Sequence, residues 1–269
     1  MDFNDRRILG KTGLRAGRLG VACSYGAPTE AFEEAFERGV NYFYWGSMRK
    51  STMARAIRNI IANGKRDELI IVLQSYSRSA GLMEAFYRQG LKTLGIENAD
   101  VLLLGWHNHL PSLRILDQAE AMRKKGMFRY LALSGHNRSL FSDLAKDPRF
   151  DILHIRYNAA HRGAEKEVFS KLAPGGRPAL VTYTATRWGD LMKPGKMPPA
   201  EKPLSGVDCY RFVLSNPNVD VCMTGPSSVA QMREALTALD LGSLTPEEMQ
   251  RVKSIGDYVR DNNRRMFFG

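Results

Sequence analysis

The chain has 269 residues, 43% of them hydrophobic, and its Lys and Arg outnumber its Asp and Glu to give a net charge of +11. No apolar run approaches the ~20 residues of a membrane span, and the first residues lack the apolar core of a signal peptide, which predicts a cytoplasmic protein. The three cysteines form neither a CxxC pair nor a metal-ligand spacing with the five histidines, so no metal site is expected, and without a linker-like stretch residues 1–269 are predicted to form a single domain.

The start of the chain predicts a short hairpin that could plug one end of the fold, because Gly10 and Gly13 flank Lys11 and Thr12. Beyond it, short apolar runs alternate with longer amphipathic stretches. The runs are Leu19–Cys23, Tyr42–Trp45, Leu69–Ser75, Val101–Gly105, Tyr130–Ser134, Ile152–Tyr157, Ala179–Tyr183 and Asp220–Thr224. Continuous apolar runs between amphipathic helices are typical of parallel strands that are buried on both faces. Eight such units predict an α/β fold, a (β/α)8 TIM barrel of the usual ~250 residues.

Turn residues predict several helix boundaries. Pro28 and Thr29 mark the start of the first helix, and Gly39 its end. Pro111 marks the start of the fourth, and residues 245–248 (Thr-Pro-Glu-Glu) predict a C-terminal helix that runs to about Asn262. The irregular stretch 188–205 is long, and loops of that length are commonly functional or disordered.

Residues Val221–Ser228 combine a strand, a glycine turn and small hydroxyl residues ahead of a helix. In (β/α)8 barrels the last loops and an adjacent helix N-terminus commonly bind phosphate, because free amides and the helix dipole favour an anion. A plain turn between a strand and a helix would have the same composition. Both interpretations therefore stand on this segment alone.

Three further segments extend that pattern: Ile8–Leu14 at the start, Leu131–Asn137 after the fifth strand and Tyr183–Leu191 after the seventh. Together with Val221–Ser228 they resemble the aldo-keto reductase superfamily, whose members carry LGxTGL, GxS[NGH], YSPLxxGxL and GxSxxxQLxEN motifs at these places. The resemblance covers the chain from about residue 6 to 240. It implies a (β/α)8 barrel that binds NADP(H) or NAD(H) across the carboxyl ends of its strands.

The same resemblance implies three groups of cofactor-binding residues. The nicotinamide would contact Ser134, His154 (a Gln in the family) and Tyr183. The pyrophosphate would be lined by Thr184, Arg187, Gly189 and Leu191. The adenosine end would be surrounded by Gly225, Ser227, Gln231 and Glu234. Arg187 and the positive net charge favour NADP(H) over NAD(H).

The proton-transfer residues of the family are not retained. The family uses an Asp after strand two, a Tyr about five residues later, a Lys after strand three and a His after strand four, whereas here Tyr44, Gln74 and Gly105 stand at the Asp, Lys and His positions. Tyr44 and His107, both predicted at adjacent strand ends with their side chains facing the mouth, are the candidate proton donors, and Gln74 is a candidate neutral donor. Without a neighbouring cation a phenol keeps a pKa of ~10 and is a weak acid. Each candidate also has a structural interpretation, with Tyr44 as a packing aromatic and the other two as hydrogen-bonded structural residues.

All three tryptophans of the chain, Trp45, Trp106 and Trp188, fall at the ends of predicted strands or just past them, and all are expected on the same face. They predict a site mouth for a flat or apolar substrate, although packing at the strand ends would also explain a tryptophan there. An acidic group on the substrate would be bound by Arg49, Arg156 or Arg162.

The leading functional hypothesis is an NAD(P)(H)-dependent oxidoreductase that acts on a carbonyl or alcohol of a flat small molecule, neutral or anionic. The alternative is a catalytically inactive nucleotide-binding module for redox sensing or partner docking, and a lyase or isomerase that reuses the barrel is a third. The chain has no motif of basic residues interleaved with stacking aromatics, so nucleic acid is not an expected partner. The sequence leaves the oligomeric state open.

Overall fold

Eight parallel strands form a closed barrel in the structure, a computed structural model that describes residues 2–46, 52–173 and 175–262. An antiparallel hairpin of β1 (Arg7–Ile8) and β2 (Arg15–Ala16) precedes the barrel. The barrel strands are β3 (Leu19–Ala22), β4 (Tyr42–Trp45), β5 (Ile70–Ser75), β6 (Ala99–Leu104), β7 (Phe128–Gly135), β8 (Ile152–Arg156), β9 (Ala179–Tyr183) and β10 (Val221–Thr224). Each strand pairs with the next along the chain, and β10 closes the ring on β3. The predicted (β/α)8 fold is confirmed, and each predicted strand lies within two residues of an observed one.

The helices alternate with the barrel strands along the chain. They are α1 (Thr29–Glu37), α2 (Thr52–Ala62), α3 (Ala80–Leu94), α4 (Leu113–Lys124), α5 (Arg138–Leu144), α6 (Gly163–Glu167), α7 (Gly206–Leu214), α8 (Val229–Leu241) and α9 (Pro246–Asn262). The predicted starts of α1 and α9 are confirmed, whereas α4 begins two residues after Pro111, with Ser112 as its N-cap. Within the described ranges no helix is both long and apolar enough to cross a membrane.

Side chains on the barrel strands alternate between the inside and the outside, because successive Cβ atoms of a strand point to opposite faces. On β4, Tyr42 and Tyr44 belong to the interior cluster, and Phe43 and Trp45 pack outward with residues of the helices. The middle of the interior is filled by Ile70, Val72, Val101, Leu103, Ile152, Val181 and Val221. Branched side chains thus pack the centre of the barrel, as is usual in this fold.

The N-terminal hairpin closes the end of the barrel where the strands begin. Leu9 and Ala16 are buried in the interior cluster. The hydroxyl of Tyr130 on β7 donates to the carbonyl oxygen of Thr12 at 2.6 Å. The predicted hairpin is confirmed at this end, so any ligand site inside the barrel must open at the opposite one.

Four polar residues tie neighbouring strands together at the same end. Asn41, Asp100, Asp151 and Asp220 lie at the starts of β4, β6, β8 and β10. Each accepts a backbone N–H from the preceding strand, or from the residues leading into it, at 2.9, 2.8, 2.9 and 2.7 Å respectively. The carboxylates are also paired with arginines: Asp100 with Arg66 and Arg129, Asp151 with Arg123, and Asp220 with Arg177. This repeated contact joins β3 to β4, β5 to β6, β7 to β8 and β9 to β10 at the end opposite the carboxyl ends.

Candidate functional site

A cavity of about 810 Å³ opens at the carboxyl ends of the barrel strands. Among the residues singled out from the sequence, those that line it are Tyr44, Gln74, Trp106, Ser134, His154, Tyr183, Thr184, Trp188 and Gly225. They come from most of the barrel strands and the loops that follow them, where active sites of this fold are built. The volume falls within the ~300–1,000 Å³ of ligand pockets.

Tyr44 points into the cavity and is largely enclosed by it. Its phenol lies back over Gly46, where a Cβ would come within 2.3 Å of the Tyr44 Oη. The hydroxyl is 3.5 Å from that of Tyr76, whose side chain is 54% exposed. Burial, helped by the neighbouring Tyr76, raises the pKa of Tyr44 well above its ordinary value. Tyr44 is therefore a neutral hydrogen-bond donor at physiological pH, in contact with a second phenol that reaches water.

Gln74 occupies the space next to Gly105, at the two positions where the resembled family has Lys and His. A Cβ on Gly105 would lie 1.7 Å from the Gln74 Nε2, so a side chain there would collide with the amide as it stands. The Oε1 of Gln74 is buried and has no hydrogen-bond partner within the described ranges. The two departures from the family are thus coupled, and together they leave an unpaired acceptor in the cavity wall.

His154 lies at the bottom of the cavity, beneath Tyr44. Its Nε2 is 2.8 Å from the hydroxyl of Tyr42, and its ring centroid is 6.2 Å from that of Tyr44. Burial lowers the pKa of His154 from 6.5 to about 3, so the ring is neutral at physiological pH. It can donate or accept a hydrogen bond, but it carries no charge.

The residues at the predicted nicotinamide position fit that group. Ser134 and His154 are register partners on β7 and β8, and Tyr183 on β9 lines the cavity beside them. The Ser134 Oγ accepts the backbone N–H of Trp106 at 3.0 Å, which leaves its own hydrogen for a ligand. The Nδ1 of His154 has no partner among the residues that the structure describes. A carboxamide oxygen requires such donors, and these two are adjacent.

Sequence reasoning did not single out His136, Tyr25, Tyr76 or Tyr210, all of which line the cavity. The Nδ1 of His136 is 3.2 Å from the hydroxyl of Tyr183, which donates to the carbonyl oxygen of Gly135 at 2.6 Å. Burial lowers the pKa of His136, and nearby Arg156 lowers it further. His136 and Tyr76 could have been found from the sequence by their position one or two residues past the end of a strand.

The backbone is strained around the mouth of the cavity. Trp106, Thr184 and Trp188 have φ angles of +58°, +61° and +55°, in the left-handed region that non-glycine residues seldom adopt. Each such residue costs on the order of 1–3 kcal/mol, and such residues cluster at functional sites. Trp106 is 60% exposed and packs edge-on against the ring of His136, with centroids 6.0 Å apart. The strained turns therefore aim indole rings at the rim.

Two candidates at the reaction centre do not line the cavity. Trp45 is buried on the outer face of β4, because it follows the inward-facing Tyr44 by one residue. His107 is also buried, and its backbone N–H donates to the carbonyl oxygen of Ser134 at 2.7 Å. Burial, reinforced by Arg78, lowers the pKa of His107 to about 4. The expectation that both side chains face the mouth is wrong.

Three of the predicted pyrophosphate residues pack elsewhere. Arg187 is 2% exposed and donates to the carbonyl oxygen of Val259 on α9 at 2.6 Å, and Leu191 is fully buried. Gly189 lies just before a short 3-10 turn, Asp190–Met192, that contacts α9. Thr184 alone of this group lines the cavity. Within 188–205 only Trp188 lines it, since the rest of that stretch packs away from the mouth.

The predicted adenosine group lies at the start of α8. Gly225 lines the cavity, while Ser227, Gln231 and Glu234 are exposed on the adjoining surface. The Oε1 of Gln231 accepts from the backbone N–H and the hydroxyl of Ser227 at 2.9 and 2.8 Å. Ser228 caps the helix by accepting the N–H of Gln231. Of this group only Gly225 thus reaches the cavity, and the other three lie on the surface that adjoins it.

The cavity wall carries no charged side chain among the described residues. Arg162, a candidate for binding an acidic group, is instead paired with Asp257 at 2.8 Å, and Arg156 does not line the cavity. Arg49 lies outside the described residues. No group of three His, Cys, Asp or Glu in the described part of the chain is arranged to hold a metal ion. The observed wall is aromatic, polar and neutral.

The buried His154 makes stability depend on pH. Its folded pKa of about 3 is below its ordinary 6.5, so the unfolded chain binds a proton that the folded chain does not, and stability falls as the pH drops below ~6.5. Replacing His154 with Gln, which can still accept from Tyr42, removes this proton. We expect the variant to lose about 2 kcal/mol less unfolding free energy than the wild type between pH 7 and pH 5. Urea denaturation at the two pH values measures the difference, and equal losses would contradict the expectation.

Comparison with known proteins gives the following matches. A model of the aldo/keto reductase family matches residues 22–191. The holo form of aldo-keto reductase AKR11C1 from Bacillus halodurans has a TM-score of 0.76 at 18% identity, over 93% of this chain and 96% of that one. The apo form of the same enzyme has a TM-score of 0.73 at 16% identity, over 93% and 95%. At these identities the likeness shows the fold. No curated protein sequence matches the chain.

Proposed function

The chain belongs to the aldo/keto reductase family, and from that premise we propose that it is a nicotinamide-dependent oxidoreductase acting on the carbonyl or alcohol of a flat small molecule. The whole chain, residues 1–269, would act as one domain, in the cytoplasm. The observation that carries the proposal is the meeting of Tyr44 with the adjacent donors Ser134 and His154 in one cavity at the carboxyl ends of the strands.

The proposed cofactor position follows the wall of the cavity outward. Ser134 and His154 would hold the carboxamide, and the ring of Tyr183 would lie against the nicotinamide, since aromatic faces suit a flat heterocycle. Thr184 and Gly225 would lie along the pyrophosphate and the path to the adenosine end at Ser227, Gln231 and Glu234. A bound nicotinamide supplies or takes up the hydride. Gly189, Leu191 and Arg187 would contribute through the shape of their loop, which α9 supports.

Tyr44 is the proposed proton donor. Its hydroxyl would donate a hydrogen bond to the substrate oxygen and release its proton to the developing oxyanion. Water would return that proton through Tyr76, which contacts Tyr44 and is exposed. Because burial raises the pKa of Tyr44, the group is a weak acid, and we expect slow turnover of simple ketones. Quinones, whose hydride adduct is a delocalised phenolate, and aldehydes, which are more electrophilic than ketones, need less help from an acid. Gln74 would add a neutral amide donor beside Tyr44, whereas His107 would have to act through Ser134, which its backbone contacts.

The substrate is proposed to be flat and uncharged. The described wall has aromatic rings at its mouth, including Trp106 and Trp188, and no charged side chain that would pair with a carboxylate. Trp45 packs on the outer face of β4 and would support this wall from behind. An acidic substrate would require Arg49, which lies outside the described residues. A small molecule is the proposed partner.

The second candidate function is an inactive nucleotide-binding module. It is favoured by one observation, the neutral wall, since no cation among the described residues activates Tyr44. Turnover decides between the two. Purified protein would be mixed with NADPH and a panel of aromatic aldehydes and quinones, and loss of NADPH absorbance followed. Turnover above the rate without protein supports the enzyme, and nucleotide binding without turnover supports the module.

We expect NADPH to bind with a Kd below 1 mM and more tightly than NADH. Since Arg187 is buried on α9, the preference rests on the net charge of +11, which attracts the additional phosphate. A long-range effect of this kind weakens with salt. Titration followed by quenching of tryptophan fluorescence, at low and high ionic strength, measures both affinities. Failure of both nucleotides to bind contradicts the cofactor, and tighter binding of NADH contradicts the preference.

A further inference from the structure

Tyr42 and His154 form a hydrogen bond across the interior of the barrel. They lie on β4 and β8, which are four strands apart in a ring of eight and therefore face each other across it. The Tyr42 Oη is 2.8 Å from the His154 Nε2, and the ring centroids are 5.9 Å apart. Gly20 on β3 leaves room for the Tyr42 ring, since a Cβ there would lie 3.1 Å from its Cδ1. The pair separates the apolar centre of the barrel from the cavity.

The direction of this hydrogen bond follows from the surroundings of Tyr42. The side chain is fully buried, and within the described ranges its hydroxyl has no hydrogen-bond partner other than His154. If the His154 Nε2 carried the proton, the phenol would accept it and its own O–H would remain buried without an acceptor, which is unfavourable. The phenol therefore donates, and Nε2 accepts. Burial raises the pKa of Tyr42 well above its ordinary value, which keeps that proton in place.

A neutral imidazole that accepts at Nε2 carries its hydrogen on Nδ1. That nitrogen has no partner among the described residues, and the ring forms part of the cavity wall. We propose that Tyr42 is a positioning residue that fixes His154 as the Nδ1–H tautomer and so presents one hydrogen-bond donor to the ligand at the bottom of the cavity. Contact of this donor with a nicotinamide carboxamide oxygen rests on the proposed function, whereas the tautomer does not.

The tautomer can be measured in the free protein. In protein labelled with ¹⁵N-histidine, protonated and unprotonated ring nitrogens have well-separated shifts, and His154→Gln identifies the signals of this residue among the five histidines. We expect a protonated Nδ1 and a hydrogen-bonded, unprotonated Nε2. The pattern should not change between pH 8 and pH 5, because the pKa of His154 is about 3. A protonated Nε2 in the wild type overturns the proposal.

The role of Tyr42 is tested with Tyr42→Phe, which removes only the hydroxyl. The Nε2 signal should lose its hydrogen-bond shift or the two tautomers should mix, and NADPH should bind about two- to tenfold more weakly. Tyr130→Phe is the matched control, because it removes a hydrogen-bonded phenolic hydroxyl from the opposite end of the barrel, and it should change neither measurement. Wild-type values of both in Tyr42→Phe overturn the proposal.

Failure of the proposed function gives a different result. A wild-type protein that binds neither nucleotide contradicts the cofactor but leaves the nitrogen spectra to decide the tautomer. If Tyr42→Phe does not fold, the wild-type spectrum decides alone, since a protonated Nδ1 supports the proposal and a protonated Nε2 contradicts it.

Discussion

Replacing Tyr44 with Phe should lower the rate of carbonyl reduction by about 10²–10⁴-fold, the usual contribution of a general acid. The affinity for NADPH should be unchanged, since the proposed carboxamide donors are Ser134 and His154. Tyr44 stands at the position where the family has an Asp, and its hydroxyl lies inside the cavity over Gly46. The loss should appear in kcat, because the hydrogen bond strengthens as negative charge develops on the substrate oxygen. Steady-state kinetics with an aromatic aldehyde, beside a fluorescence titration of NADPH, measure the two effects.

Two further variants test whether the loss of turnover is specific to Tyr44. Tyr130→Phe removes a phenol hydroxyl at the far end of the barrel and should leave turnover unchanged. Tyr76→Phe interrupts the contact with water and should slow turnover less than Tyr44→Phe. If Tyr44→Phe retains the wild-type kcat, Tyr44 is not the proton donor. If all the proteins bind NADPH and none turns over, the binding module is the better description.

Replacing Asp100 with Ala should reduce the free energy of unfolding by about 1.5–3 kcal/mol, the range for a hydrogen bond to a charged group whose buried donor is left unpaired. Asp100 is 1% exposed, and its carboxylate accepts the N–H of Ile71 at 2.8 Å while pairing with Arg66 and Arg129. Truncation leaves the N–H and both guanidinium groups without this acceptor. Urea denaturation followed by circular dichroism measures the change.

Two controls separate burial from charge. Asp100→Asn keeps an oxygen for the Ile71 N–H and should lose less stability than Asp100→Ala. Asp240→Ala removes an exposed carboxylate that is paired with Arg38 at 2.8 Å, and it should cost at most about 1 kcal/mol. Equal losses for Asp100→Ala and Asp240→Ala would show that the contacts at the starts of the strands contribute no more than a surface pair.

The strands could be predicted because parallel strands buried on both faces leave an uninterrupted apolar run. Tyr42–Trp45 and Ala179–Tyr183 have the same bounds in the sequence and in the structure. A helix start could be predicted equally well where a proline follows a hydroxyl residue, as at Pro246. The helix start predicted at Pro111 was two residues early, because Pro111 lies in the loop ahead of the cap residue Ser112.

The site was harder to predict than the fold, because the direction in which a side chain points matters as well as its position in the sequence. Counting alternate residues from Tyr42 brings Tyr44 inside the barrel and sends Trp45 outside. For His107 no such count applies, since the chain leaves the strand at Gly105 and turns through a left-handed Trp106. Arg187 is buried by α9, more than 70 residues later, and no local pattern reports that contact.

The two ends of the barrel have different roles. Contacts at one end hold the eight strands together, and the proposed chemistry takes place at the other. Asn41, Asp100, Asp151 and Asp220 secure one rim, and none of them lines the cavity at the other. The rim at which we propose the reaction is therefore free to vary, and we expect exchanges of Tyr44 or Gln74 to change which carbonyls are reduced without weakening the contacts at the other end. This division makes the chain a suitable scaffold for laboratory evolution. We expect accepted substitutions to concentrate around the cavity, while the four residues at the other end stay unchanged.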